Sequence, residues 1–217
     1  MPAGTANLLA TNLGIPKHVA RAVHVGLHGA RRKLDVGVVN GERFAVMAGT
    51  GFDAIMIDKA DSARKKRLGR IAYFRSGLDA IRAKAVRMTV QVDGTVWFKG
   101  KASAVLIGNV GRVAGGLTVF PNASASDAFL DVGVVTADSV WQWVRVLSRV
   151  ARGRPDRSPL VDMTRGKALV IDLGRRLSYE LDGGVRPAAR RLEVRVKPRA
   201  VTLRVPRANR RANTGPH

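Results

Sequence analysis

The stretch from Ala104 to Val135 constrains this chain most: a β-branched apolar run ending at Gly108, a loop carrying Gly111, Gly115 and Gly116, then a second apolar run from Phe129. Short apolar runs of this kind bounded by glycine predict strand, loop and strand. The glycines let the loop take positive φ and let a ligand or another backbone approach closely. Pro121 and Asn122 punctuate a turn that delivers one carboxylate, Asp127, to the mouth of the returning strand. Such a carboxylate is either an active-site element or an ordinary polar turn residue in a long hairpin.

Around that stretch the pattern is mostly that of strands. Leu34 to Val39, the turn Asn40-Gly41 and Arg43 to Ala48 read as a hairpin, and so do Arg87 to Val92, Asp93-Gly94 and Thr95 to Lys99. Further short strands are expected near 160–163, 168–173, 177–181, 192–196 and 201–205. Helical spacing occurs over 3–14, with Thr5 as N-cap and Gly14 as stop, from Pro16 to His28, from Arg64 to Ala85, and over 139–152. In the last of these, Trp141, Val144 and Leu147 are expected to cover a sheet. His24 and His28 share a helix face, but with no third ligand nearby they read as structural. Many strands and few helices predict a mainly β (α+β) chain, a β-sandwich-like domain with helices on its flank. At 217 residues one large domain is expected.

Charge narrows the partners. Thirty-eight Lys and Arg against sixteen Asp and Glu give a net charge of +22, which suits nucleic acid, phosphorylated molecules or an acidic membrane surface. Aromatic residues make up 5% of the chain, which argues against stacking platforms for single strands, and neither a helix-turn-helix nor a zinc pattern is present. The absence of cysteine excludes disulfides and thiolate metal sites and suits a reducing cytoplasm. No apolar run approaches the roughly 20 residues of a membrane span.

Two further constellations carry chemistry. A helix start after Gly4 and Thr5 suits an anion, because its free N–H groups point at whatever binds there. In Tyr179-Glu180-Leu181-Asp182-Gly183-Gly184, strand alternation predicts Glu180 and Asp182 on one face beside a glycine turn, able to take a proton or hold magnesium. A solvent-facing strand edge is the alternative.

Gly-Thr-Ala-Asn-Leu-Leu-Ala-Thr-Asn-Leu-Gly-Ile-Pro at 4–16, Gly69-Arg70-Ile71-Ala72-Tyr73, and Gly115-Gly116 through Pro121-Asn122-Ala123 with Asp127 and Leu130-Asp131-Val132 follow one another in an order that resembles the C-terminal part of the soluble bacterial diacylglycerol kinases, relatives of sphingosine and NAD kinases. The resemblance covers nearly the whole chain. It implies a remnant of a nucleotide-binding domain at 1–30, a β-sandwich-like lipid kinase domain at 31–206, and a disordered basic tail at 207–217. It also implies transfer of the γ-phosphoryl of ATP to a lipid hydroxyl, with magnesium. Gly4, Thr5 and Asn7 would then face nucleotide phosphate, and Asp127 would hold the metal with backbone oxygens of Ser124 and Phe129.

The expected partners are nucleotide and a lipid at an anionic membrane surface, with no specific nucleic acid, and a homodimer is compatible. The expected location is cytoplasmic and peripherally membrane-associated. The sequence departs from the family where Asp182-Gly183-Gly184 stands for Asp-Gly-Glu, leaving Glu180 or Asp182 as substitute bases, and where Ala128 stands for glycine after Asp127. The family's Gly-Gly-Asp-Gly-Thr loop lies upstream of Gly4, so the isolated chain is expected to be truncated and inactive. The competing expectation is a non-catalytic basic module that binds anionic membrane or nucleic acid.

Overall fold

The computed structural model describes residues 2–3, 7–51, 85–113 and 117–207. The helix expected from Arg64 to Ala85, Gly4, Thr5, Gly115, Gly116 and nearly all of the tail lie outside the described residues. Among the described residues ten strands form one antiparallel network in the order β2-β1-β10-β9-β3-β6-β7-β8, with β4 added to β9 and β5 to β4. They are β1 (Ala30–Val39), β2 (Glu42–Phe44), β3 (Met47–Thr50), β4 (Val86–Val92), β5 (Thr95–Ala102), β6 (Ala104–Gly108), β7 (Leu130–Val135), β8 (Val161–Gly166), β9 (Ala168–Leu181) and β10 (Gly184–Val205).

Local chemistry sets the tight hairpins. Asn40-Gly41, Asp93-Gly94 and Asp182-Gly183 each join strands across a two-residue turn with positive φ at both positions: 48° and 91°, 48° and 87°, 49° and 89°. This is the turn whose twist matches that of paired strands, and Asn, Asp and Gly tolerate it best.

Two strands are longer than the pattern predicts. The runs at 168–173 and 177–181 belong to one strand, β9, and those at 192–196 and 201–205 to another, β10. Pro187 and Pro198 obscure this, since proline removes a ladder donor. Both sit where the pairing slips, Pro187 between Arg186 and Ala189 and Pro198 opposite the shift between Leu34 and Val36. The length has a purpose. One end of β9 pairs with β4 (Val92↔Leu169 to Met88↔Leu173) and the other with β3 (Thr50↔Tyr179 to Ala48↔Leu181). Exposed Gly174, Arg175 and Arg176 lie between the two. The network therefore divides into two layers that share β9 and β10. The main core is drawn from both, including Phe44, Met88, Val90, Ile107, Leu130, Val132, Ile171 and Leu181. Burying each such side chain is worth about 1.5–3 kcal/mol, so this core supplies the main drive to fold. The architecture is the expected mainly β, sandwich-like one.

Two elements differ from expectation. Arg43 to Ala48 is not one strand: it breaks at Ala45–Val46, so that β2 stays with β1 while β3 crosses to pair with β6 and β9. Among the helices α1 (Leu8–Asn12), α2 (Val19–His28) and α3 (Val140–Ala151), the last buries a different face from the one expected. Trp143 and Val146 are buried against Ala104, Val135 and Val161, whereas Trp141, Val144 and Leu147 are exposed. The helix has two apolar stripes, and the packing of β7 and β8 selects the one that the Trp141 spacing does not pick out. Its N-terminus is capped by Ser139, whose side chain accepts from the Gln142 N–H, while the Gln142 side chain accepts from the Asp138 N–H.

Candidate functional site

The long loop between β6 and β7 is anchored on three sides. From α1, the Asn12 side chain donates to the Arg112 carbonyl (2.8 Å) and accepts from the Arg112 N–H (3.0 Å), pairing with it as a neighbouring strand would. From β1, the Asp35 N–H donates to the Ala125 carbonyl (2.7 Å), and the Asp35 carboxylate accepts from Ala128 N–H (2.7 Å) and Arg199 N–H (2.8 Å). From β8, Arg165 pairs with Asp127 at 2.5 Å. Asp35 is 2% exposed, and both amides that it receives belong to residues at positive φ, Ala128 at 63° and Arg199 at 52°. A buried carboxylate thus ties a kink of the loop to a bulge of β10, satisfying donors that no ladder can reach. Asp35 was not among the sequence candidates. Its surroundings read as a plain strand, and the only local signal is a charged residue inside an apolar run.

The anchored loop presents a mixed-charge cluster. One oxygen of Asp127 accepts from the Phe129 N–H (3.1 Å) and the other from Arg165. Arg165 also lies 4.3 Å from the centre of the Phe129 ring, with the Lys167 ammonium 5.1 Å from it. Asp131 faces Arg165 across the β7–β8 ladder. Ser126 accepts from Arg32 at 2.8 Å and lies 3.5 Å from the Ser124 hydroxyl. Burial holds the Asp131 carboxyl above the ordinary carboxylate range; Arg165 opposes that shift and the charge of Asp127 adds to it.

The folded protein therefore holds this proton more tightly than the unfolded chain does. Stability from Asp131 is greatest at acid pH and is lost as pH rises from the ordinary value of 3.8 through the raised one. Asp131→Asn is expected to gain on the native protein in melting temperature as pH goes from acid to neutral. A difference that stays constant with pH would contradict this.

Among the described residues no three His, Cys, Asp or Glu side chains converge as a metal site. A cation at Asp127 would take most of its ligands from backbone oxygen and water, with at most the neighbouring Asp131 as a second carboxylate. That is the ligand chemistry of magnesium, although Arg165 and Lys167 already balance the charges of Asp127 and Asp131. The donor set fits in kind, with Arg165 as the competitor for Asp127.

Ala128, after this aspartate, sits in a conformation that suits glycine better. At φ 63° a Cβ crowds the following carbonyl, at a cost of roughly 1–2 kcal/mol. Ala128→Gly is expected to stabilise the protein by about 0.5–1 kcal/mol after the added freedom of the unfolded chain is subtracted, seen as a higher urea midpoint at unchanged slope.

The carboxylates near the β9–β10 turn are placed differently. Glu180 is half-buried in β9 between Gly49 and Val185. Asp182 lies beyond the strand in the left-handed turn, so strand alternation no longer sets its direction. Its carboxylate accepts from the N–H groups of Ala45 (2.7 Å), Val46 (2.8 Å) and Met47 (3.0 Å), and its own N–H donates to the Met47 carbonyl. The expected shared face with Glu180 is thus replaced by a clamp on the segment where the chain crosses from β2 to β3. Both carboxylate oxygens are thus engaged by backbone donors. Asn109 braces the same segment, donating to the carbonyls of Asp35 (2.9 Å) and Ala45 (2.8 Å). Asn7 stands at the start of α1 with φ 49°. The His24 and His28 ring centres lie 4.8 Å apart on α2, with the rings tilted by 50°.

A two-layer antiparallel domain with a loop clamped in this way defines a class. Residues 46–205 match the family described as the YegS C-terminal NAD kinase beta sandwich-like domain, and the chain belongs to that family. Its relatives include a diacylglycerol kinase of Bacillus subtilis (strain 168), 25% identical over 84% of this chain and 61% of that protein. A diacylglycerol kinase of Staphylococcus aureus (strain JH9) is 27% identical over 84% of this chain and 58% of that protein. The chain thus spans about three-fifths of the length of these relatives. A solved structure of a proposed diacylglycerol kinase from Bacillus anthracis superposes with a TM-score of 0.74 at 22% identity, over 94% of this chain and 67% of that one, and shares its fold.

Proposed function

We propose that this chain is the lipid- and metal-binding domain of a lipid kinase of the diacylglycerol kinase type, which transfers the γ-phosphoryl of ATP to a lipid hydroxyl. Membership of a family whose relatives are named diacylglycerol kinases carries the reading, and the clamped loop around Asp127 supports it. In this reading Asp127, with backbone oxygens of Ser124 and Phe129, holds magnesium, and bound magnesium offsets charge on the phosphates. Arg165 and Lys167 hold Phe129 and the loop in place. Phosphoryl transfer asks mainly for positioning and charge neutralisation, which a rigid loop with fixed cations supplies.

By the resemblance Gly4, Thr5 and Asn7 are assigned to the nucleotide; of the three, only Asn7, at the start of α1, lies among the described residues. Asp182 serves as an architectural clamp, and Glu180, half-buried in β9, is assigned to proton transfer. Gly184 stands where the family's carboxylate is expected. A Cβ built there would meet only the end of the Arg186 side chain at 2.8 Å and the Leu181 carbonyl at 3.4 Å, so a glutamate could be reintroduced with a shift of Arg186. Association with an anionic membrane surface brings the enzyme to its substrate.

The test supplies the nucleotide-binding half of the Bacillus subtilis relative as an N-terminal fusion and follows γ-labelled phosphate from ATP with magnesium into diacylglycerol in mixed vesicles. Labelled lipid from the fusion, increased by Gly184→Glu and lost on Asp127→Ala, supports the proposal. No transfer to diacylglycerol or a sphingoid base by either fusion overturns it and leaves the non-catalytic basic module.

A further inference from the structure

Helix α3 exposes two neighbouring faces of complementary chemistry. Val140, Trp141, Val144 and Leu147 are exposed by 48%, 78%, 46% and 44%, and at 3.6 residues per turn they form one stripe. Beside it Arg145, Arg149 and Arg152 line a groove of about 490 Å³ that runs between the helix and Ser158–Leu160, with Ser148 and Ser158 on its walls. The third face, Trp143 and Val146, is spent on the core. A nearly bare tryptophan inside an apolar stripe is unusual for a surface that meets only water.

We propose that α3 is an interfacial helix that seats this domain on an anionic bilayer. Trp141, Val140, Val144 and Leu147 enter the acyl boundary, and the Arg145–Arg149–Arg152 row takes lipid phosphates into its groove. Charge selects this occupant. A second copy packed on the same stripe would bring two arginine rows together in a chain of net charge +22, whereas an anionic leaflet neutralises them. The residue types fit the depth: indole sits at the headgroup level, and arginine keeps its guanidinium at the phosphates while its stem lies in the apolar zone. No helix among the described residues is long and apolar enough to cross a membrane, so the contact is one that lies on the surface. The inference deepens the membrane-surface part of the proposed function but rests on α3 itself, and its test contains no ATP.

Vesicle flotation of the intact chain tests it, with phosphatidylglycerol–phosphatidylcholine against phosphatidylcholine alone. The native chain should float with the anionic vesicles and be released by salt. Trp141→Ala with Val144→Ser and Leu147→Ser should weaken binding at least about tenfold. Arg145→Gln with Arg149→Gln and Arg152→Gln should weaken it on the order of a hundredfold. All six positions are exposed or groove-lining, and unchanged urea midpoints confirm that the variants fold. Trp141→Phe, which preserves the apolar surface, should float as the native chain does yet lose most of the fluorescence quenching by brominated lipid, since of the other two tryptophans Trp143 is buried under α3 and Trp97 is half-buried against the main core on β5.

Undiminished flotation of the apolar variant overturns the proposal, as does equal binding to neutral vesicles. Equal binding to random duplex DNA that depends on the arginines but not on the apolar stripe assigns the face to nucleic acid. A dimer that the apolar variant abolishes assigns it to a second copy. A fusion that phosphorylates lipid without flotation through α3 removes this inference and keeps the kinase reading, and flotation without phosphorylation does the reverse.

Discussion

Asp182→Ala is expected to lower the free energy of unfolding by about 3–4 kcal/mol, a large share of the 5–15 kcal/mol typical of a domain. The carboxylate receives three consecutive backbone N–H groups, from Ala45, Val46 and Met47, at the one place where the chain leaves β2 and enters β3. Val46 is buried, so its amide loses its partner without gaining full access to water. Hydrogen bonds to a charged acceptor are worth about 1.5–3 kcal/mol each, but they share one anion and are not additive. Alanine also inherits φ 49°, which costs roughly 1 kcal/mol, so Asp182→Gly separates that strain from the lost acceptor. Asp182→Asn, which tolerates the same φ and keeps one oxygen, should lose about half as much. Urea unfolding at neutral pH reads all three. An alanine variant within 1 kcal/mol of the native protein would mean that the β2–β3 crossing holds itself.

Asp35→Ala should cost as much or more, about 3–5 kcal/mol, because a 2% exposed carboxylate disappears and two amides lose their acceptor inside the protein. The consequence is also functional. Ala128 lies one residue from Asp127, so the loss unpins the loop that carries the candidate metal ligand. Asp35→Asn keeps the shape and one acceptor oxygen and should cost about 2 kcal/mol. Hydrogen exchange distinguishes the brace from general destabilisation: in Asp35→Asn the amides of Ala128 and Arg199 should lose protection before those of the β4–β5 ladder. Uniform loss of protection would show that Asp35 does not act locally.

These residues mark the boundary of what a sequence reading reaches. Where structure follows from neighbours in the chain, the reading was sufficient. The hairpins at Asn40-Gly41 and Asp93-Gly94, the strands on either side of the long loop and the stop of α1 at Gly14 all follow from turn chemistry and apolar period. So does the mainly β, sandwich-like class. The order of short motifs pointed to the family to which the chain belongs. The roles of single residues were harder. Asp127 reads as a presented carboxylate, but its partner Arg165 comes from β8, thirty-eight positions away.

By itself the sequence determined the tight turns, most of the strand-forming segments and the strongly positive net charge, because each depends on residue identities or on neighbours within a few positions. Only the tertiary structure decided which of two apolar stripes of α3 is covered, that Asp182 clamps a crossing 135 residues or more upstream, and that Asp35 holds both the loop and β10. Those outcomes depend on which backbone groups are left without a ladder partner once the two layers close. A carboxylate or an apolar face is spent where that demand arises, and nothing near it in the chain records the place.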